Sequence, residues 1–275
     1  MSLLQMFSFP FIQRALAAGV LVSLCAALLG VPLVLKRYSM IGVGLSHVSF
    51  GALAVAAAMG FAPLYFSIPV VVAAAFLLLR VADSPRWNSD AAIAVVSASS
   101  LALGVLVISR TSGMTADVDN YMFGSVLAMT RADVALSVAL CAAVLVLFVL
   151  FYHRIFAVTF DESFSRATGL KVERYNALLA ILTALTIVLG MRMMGAMLIS
   201  SLVIFPALTA MRLFRSFFGV TACAAVTSVG CFCAGLTVSF ACSTPVGATV
   251  VAANLALFLA ACGVSALRGR RKQEK

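Results

Sequence analysis

His47 is the only histidine inside an apolar run of this chain, and its chemistry stands out first. It lies in Arg37-Tyr-Ser-Met-Ile-Gly-Val-Gly-Leu-Ser-His-Val-Ser-Phe-Gly. At about 1.5 Å per helical residue it sits about 16 Å from the Lys36-Arg37 pair, near the middle of a hydrocarbon core about 30 Å thick. An ionisable group at that depth is costly unless it faces a cavity or a partner, and neutral imidazole is a ready transition-metal ligand. Residue type and depth equally support a histidine that hydrogen-bonds a neighbouring helix and only packs. Gly42, Gly44 and Gly51, with Ser46 and Ser49, read first as small residues that let helices approach closely. Ser46 stays a candidate for the wall of a path past His47. Adjacent helical residues point about 100° apart, so Ser46 and His47 make a poor nucleophile–base pair, which argues against an intramembrane hydrolase.

A second constellation lies between His153 and Tyr175, which holds nearly every charged residue of the middle of the chain. Its segment Phe160-Asp-Glu-Ser-Phe-Ser-Arg-Ala-Thr-Gly-Leu-Lys-Val-Glu-Arg predicts a short amphipathic helix stopped by Gly169. Phe160, Phe164 and Ala167 fall at i, i+4 and i+7 and would share an apolar side, leaving Asp161, Glu162, Ser165 and Arg166 polar. Such a helix suits docking of a cytoplasmic partner; the same pattern also suits a helix lying on lipid headgroups.

The elements that position these residues follow from composition. Of 275 residues 64% are hydrophobic and 10% charged, with mean hydropathy +1.15, far from the balance of a soluble domain. Apolar runs of roughly 20 residues, the length that crosses a bilayer, recur with short interruptions. They read as spans at about 12–35, 39–60, 64–82, 91–109, 134–152, 176–191, 195–211, 217–240 and 246–267. The expectation is a single all-α transmembrane domain over 1–275, a polytopic bundle of about nine helices (eight to ten). The runs are apolar on all sides, so a β-barrel, which alternates, is excluded.

The net charge of +10 would suggest a nucleic-acid partner in a soluble protein, but the basic residues cluster at the ends of apolar runs, where they set topology. Placing Arg268, Arg270, Arg271, Lys272 and Lys275 in the cytoplasm and alternating backwards puts Lys36-Arg37, Arg80/Arg86, Arg154 to Arg174 and Arg212/Arg215 inside as well. Only Arg14, Arg110, Arg131 and Arg192 then fall outside. The stretch from Arg110 to Ser125 is long enough for a short helix or re-entrant segment on the outer side. Seven cysteines lie in or beside apolar runs with no Cys-x-x-Cys pair, and read as packing residues.

Phe-Asp-x-x-Phe-x-Arg-Ala-x-Gly-Leu from Phe160 to Leu170 resembles the coupling loop of metal-ion ABC-importer permeases, the family that includes zinc and manganese permeases. Four more stretches resemble the same family in the same order: Arg37 to Gly51, Asn120-Tyr-Met-Phe-Gly-Ser, Val188 to Arg212 with its Ser-x-x-x-x-Phe-Pro-Ala core, and Ser243-Thr-Pro-Val-Gly-Ala-Thr. Together they cover about residues 15–265. The resemblance implies a multi-pass protein of the bacterial cytoplasmic membrane that moves zinc, manganese or iron by alternating access, with no bound cofactor of its own. It implies a second copy of the chain, cytoplasmic ATP-binding subunits that use the ATP, and an extracytoplasmic solute-binding protein. It makes Asp161, Glu162, Phe164, Arg166 and Gly169 the coupling residues of the 153–175 loop, and His47 with Ser46 the translocation path, His47 as metal ligand. No Gly-x-x-x-x-Gly-Lys-[Ser/Thr] phosphate loop occurs, so this chain is expected to be non-catalytic.

Two departures bear on the cargo. The family usually has Asp-Ala-Leu-Ser-His in the second span, with a carboxylate one turn before the histidine; here that position is Val43. The last loop often reads Asp-Leu-Pro-Thr-Gly, and Ser243 takes the acidic place. One imidazole is a weak site for a bare divalent ion. The metal would then use a softer site among Met191, Met193, Met194 and Met197, which otherwise read as packing, or travel as a chelate. A secondary carrier would need buried carboxylates for ion coupling, and no Asp or Glu lies deep in an expected span.

Overall fold

The computed structural model describes residues 10–82, 89–111 and 131–273. These form eleven helices: α1 (Pro10–Leu35), α2 (Ser39–Ala58), α3 (Pro63–Ala82), α4 (Ser89–Arg110), α5 (Arg131–Leu150), α6 (Tyr152–Phe160), α7 (Glu162–Ala167), α8 (Val172–Met194), α9 (Ala196–Leu213), α10 (Phe217–Cys242) and α11 (Val246–Gln273). Among the described residues there is no strand, as a lipid solvent requires: every backbone N–H and C=O must be satisfied within its own segment. Eight helices have the length and apolarity to cross a bilayer, and α5 with α6 makes a ninth if the bent pair is counted as one span. The expected bundle of about nine spans is therefore present. The candidate re-entrant segment from residue 112 onward, the Asn120-to-Ser125 stretch and the side chains of the carboxyl-terminal basic cluster lie outside the described residues.

The core is built on α1, α2 and α8, whose apolar windows are 67%, 72% and 72% buried, against 22% for α4 and 17% for α11. Leu29, Leu45, Leu53, Leu182, Ile187 and Leu189 fill it. The expected packing role of the methionines holds for Met191, Met193 and Met194, which are buried in this core; Met197 is exposed. Cys25, Cys141 and Cys231 are buried, free and packed.

Three local devices shape the ends of the bundle. α1 stops in a paired hydrogen-bond motif, Tyr38 N to Leu33 O at 2.8 Å and Arg37 N to Val34 O at 3.1 Å, with Arg37 at φ 64°, where glycine is usual. α8 and α9 are separated by Gly195 alone, whose φ of 88° and ψ of 159° only glycine adopts without strain. α6 turns 67° away from the axis of α5 and carries the chain along the end of the bundle.

The 153–175 segment departs from the expected single helix. Asp161 is extended (φ −148°, ψ 100°) and breaks the segment into α6 and α7, so Phe160 ends one helix while Phe164 and Ala167 belong to the next. The physical reason is capping: the Asp161 carboxylate accepts from Phe164 N at 2.9 Å and starts a new helix, where the apolar pattern read alone would continue the old one. Phe160 instead joins an aromatic cluster with Phe156 and Phe217, at centroid distances of 4.9 and 6.1 Å.

Candidate functional site

The first part of the site is the seam between α2 and α4. A Cβ added to Gly51 would lie 2.8 Å from the carbonyl oxygen of Ser100, and one added to Gly104 would lie 2.6 Å from the Phe50 ring, so both helices need glycine to approach this closely. That approach brings His47 Nδ1 to 2.5 Å from Ser97 Oγ. Ser97 can accept the Nδ1–H, and the lone pair is then on Nε2, the arrangement in which a histidine is held ready to ligate a metal.

Between Ile41 and Ala54 every residue of α2 is buried except Val43 and His47. They are one turn apart and form the only open stripe of this stretch, so the departure at Val43 falls on the histidine's own face. Ser46 is buried and donates its hydroxyl to Val43 O at 2.8 Å, within its own helix. Among the described residues no three His, Cys, Asp or Glu side chains converge as metal ligands.

The second part is the corner where α1 ends, α7 lies and α8 begins. α7 has a matched start and stop: the Asp161 cap at one end, and at the other Leu170 N to Ser165 O and Gly169 N to Arg166 O, both 3.0 Å, with Gly169 at φ 84°. Gly169 is thus the stop its position predicts. The helix turns Glu162 inward, where Lys36 Nζ donates to Glu162 Oε1 at 2.5 Å and to Asn176 Oδ1 at 2.6 Å, while Asn176 Nδ2 donates to the same carboxylate oxygen at 3.1 Å. The Lys36 side chain is 6% exposed and that of Glu162 37%. Burial pushes the Glu162 pKa up, but the hydrogen bonds from Lys36 and Asn176 and the charges of Lys36 and Arg166 outweigh it, leaving the carboxyl below its ordinary range.

Of the expected coupling residues, Asp161 and Gly169 shape α7 and Glu162 anchors it, whereas Phe164, 65% exposed, and Arg166 face outward. Sequence reasoning missed Lys36, Asn176 and Ser97. From sequence Lys36 reads only as a topology residue; its place at the end of a span facing the charged loop is the available signal. Ser97 and Asn176 carry none, because pairing across helices depends on packing.

A profile of the ABC 3 transport family matches residues 8–265 of the chain. The manganese transport system membrane protein MntC of Halalkalibacterium halodurans is 28% identical over 96% of this chain and 91% of its own length. The high-affinity zinc uptake system membrane protein ZnuB of Haemophilus influenzae is also 28% identical, over 91% of this chain and 96% of its own. Among solved structures, PsaBC from Streptococcus pneumoniae in complex with Fab superposes with a TM-score of 0.84 at 26% identity, covering 93% of this chain and 92% of that one. A match over nearly the full chain, on a bundle of the same architecture, makes this protein a member of the ABC 3 transport family, as a membrane-spanning permease.

Proposed function

We propose that the chain is the permease subunit of an ATP-driven importer for a divalent transition-metal ion of the manganese and zinc class. Its end bearing Lys36, α7 and the start of α8 faces the cytoplasm and takes cytoplasmic ATP-binding subunits. A second copy of the chain completes the path, and an extracytoplasmic solute-binding protein delivers the ion. The observation that carries the reading is the two-sided geometry of α7: Phe164 and Arg166 face outward for a partner, and Glu162 is fixed by Lys36 to α1 and by Asn176 to α8. A force on α7 therefore passes into two of the helices that form the core, and α1 runs on through Arg37 and Tyr38 into α2, which holds His47. Nucleotide-driven closure of the ATP-binding subunits is converted in this way into opening and closing around His47. The largely exposed α4, beside His47, is a face that a second copy or lipid covers.

Passage of a metal chelate is the second reading, favoured by Val43 on the open stripe where a carboxylate would strengthen a site for a bare ion. The test is radiometal uptake by cells expressing the chain with its ATP-binding subunit and binding protein, with manganese and zinc offered as free ions and as chelates. ATP-dependent uptake of a free ion is expected. No uptake of either form would overturn the reading, and uptake of the chelate alone would favour the second.

A further inference from the structure

Beside α7 lies a cavity of about 440 Å³ whose lining has two characters. Phe151, at the bend between α5 and α6, and Leu178, in the second turn of α8, are apolar and pack on the core. Arg154, Lys171 and Arg174 bring three positive charges to the same space, with Tyr175 between them and the apolar side. None of the three cations has a carboxylate partner among the described residues, and Glu173, between Lys171 and Arg174 in sequence, does not line the cavity.

Arg154 is already set in place. Its Nη1 donates to Tyr175 Oη at 2.7 Å, and its guanidinium lies 5.9 Å from the Phe151 ring centre and 5.8 Å from that of Tyr175. The remaining N–H groups of its fork are left for an acceptor, and a planar fork matches a phosphate or carboxylate. The cavity opens where α5 ends and α8 begins, at the ends of apolar helices, where aromatic side chains commonly meet lipid headgroups. A small soluble anion would use the cations and leave the apolar side wet. An amphipathic anion uses both.

We propose that this cavity binds an anionic phospholipid, its phosphate on Arg154, Lys171 and Arg174 and its acyl chains along Phe151 and Leu178. The site spans the start of α6, the chain after α7 and the first turns of α8, so an occupied site steadies the mount of α7. The proposal rests on the reading that this end of the bundle faces the cytoplasm, where basic pockets between helices meet an anionic leaflet.

The test uses the permease with its ATP-binding subunit, by native mass spectrometry after exchange into defined mixtures of phosphatidylglycerol and phosphatidylcholine. The wild type is expected to retain phosphatidylglycerol in preference to phosphatidylcholine. Arg154→Gln with Arg174→Gln should weaken that retention roughly tenfold or more, since each cation near an anionic headgroup contributes about a factor of five. Arg154→Lys with Arg174→Lys, which keeps the charge, controls for misfolding and should retain most of it. Equal retention of both lipids by the wild type would overturn the proposal. Displacement of phosphatidylglycerol by millimolar inorganic phosphate alone would overturn the lipid as occupant, leaving a soluble-anion site. Unchanged lipid retention with loss of the ATP-binding subunit in the Gln variant would instead make the patch a protein contact. Lipid retention is read without transport, so failed metal uptake with lipid still bound would count against the proposed function alone.

Discussion

Lys36 at the end of α1 and Glu162 on α7 are 126 positions apart in sequence and joined by a 2.5 Å ion pair, with the lysine side chain 6% exposed. A surface pair of this kind would contribute little, but a buried ammonium is expensive to leave alone, so the pair and Asn176 stand or fall together. The three lie at the end of α1, on α7 and in α8, the elements that the proposed coupling movement must keep in step.

Removing the ammonium should therefore cost coupling more than stability. Lys36→Met fills the same space with an apolar chain, and the partly exposed Glu162 carboxylate can turn to water. We expect insertion and basal ATP hydrolysis to persist, while metal imported per ATP falls by about tenfold or more, since two charge-assisted hydrogen bonds of about 1.5–3 kcal/mol each are lost. Wild-type stoichiometry in Lys36→Met would remove the pair from the coupling route.

Glu162→Gln works the other way, because it leaves the buried ammonium with amide oxygens to accept from it but no counter-charge. The Glu162 pKa is lowered by folding, so its stabilisation is complete above the ordinary value of 4.5 and is lost as pH falls through the lower folded value. Thermal stability of wild type and Glu162→Gln in detergent should differ by a constant amount above about pH 6 and converge below pH 4.5. A gap that widens towards acid would contradict the sign.

Phe164→Asp and Gly169→Pro separate the docking face from the scaffold of α7. Phe164 is 65% exposed, so Asp there should leave folding intact and reduce association with the ATP-binding subunit, an effect read by co-purification. Gly169→Pro is incompatible with φ 84° and deletes the N–H that donates to Arg166 O, so it should unmake the stop of the helix at about 3 kcal/mol or more. Normal co-purification and uptake in both variants would reject α7 as the dock.

The spans were legible because roughly 20 apolar residues in lipid can only be helix, and Gly169 was legible because a glycine after a short helix is the common stop. The break at Asp161 was not, since the spacing of Phe160, Phe164 and Ala167 fits one continuous helix as well as it fits a cap between two. The bend after Leu150 has neither proline nor glycine near it to mark it. Lys36 illustrates the larger gap: its position at a span end already had a sufficient topological explanation, and its pairing appears only when α1, α7 and α8 are brought together.

Topology itself can be checked on α7. Ser165 is buried and a poor reporter, whereas Ser163 is exposed. Ser163→Cys should react with a membrane-impermeant thiol reagent only after cells are opened. Labelling in intact cells would place this end of the bundle outside and overturn the proposed orientation.

His47 is where the family resemblance and the missing carboxylate pull apart, and its contact with Ser97 makes the question decidable. If His47 ligates the transported ion, Ser97 holds the ring, and Ser97→Ala should weaken metal-dependent uptake about 10–100-fold, as loss of a ligand's hydrogen-bond partner does. His47→Ala should then abolish uptake, and His47→Gln, which keeps a hydrogen bond to Ser97 but offers a poor metal donor, should not restore it. If the histidine only bridges α2 and α4, Gln should recover most of the function. Val43 supplies the decisive variant, because it shares the open stripe with His47. Val43→Asp places a carboxylate one turn away on the same face, and a second ligand should tighten metal retention in a way that vanishes when His47→Ala is added. A carboxylate that merely burdens the membrane interior would instead lower function by the same factor with or without His47. Radiometal uptake and retention at matched membrane abundance distinguish these outcomes, and wild-type uptake in His47→Ala would sink the ligand assignment whatever Val43→Asp does.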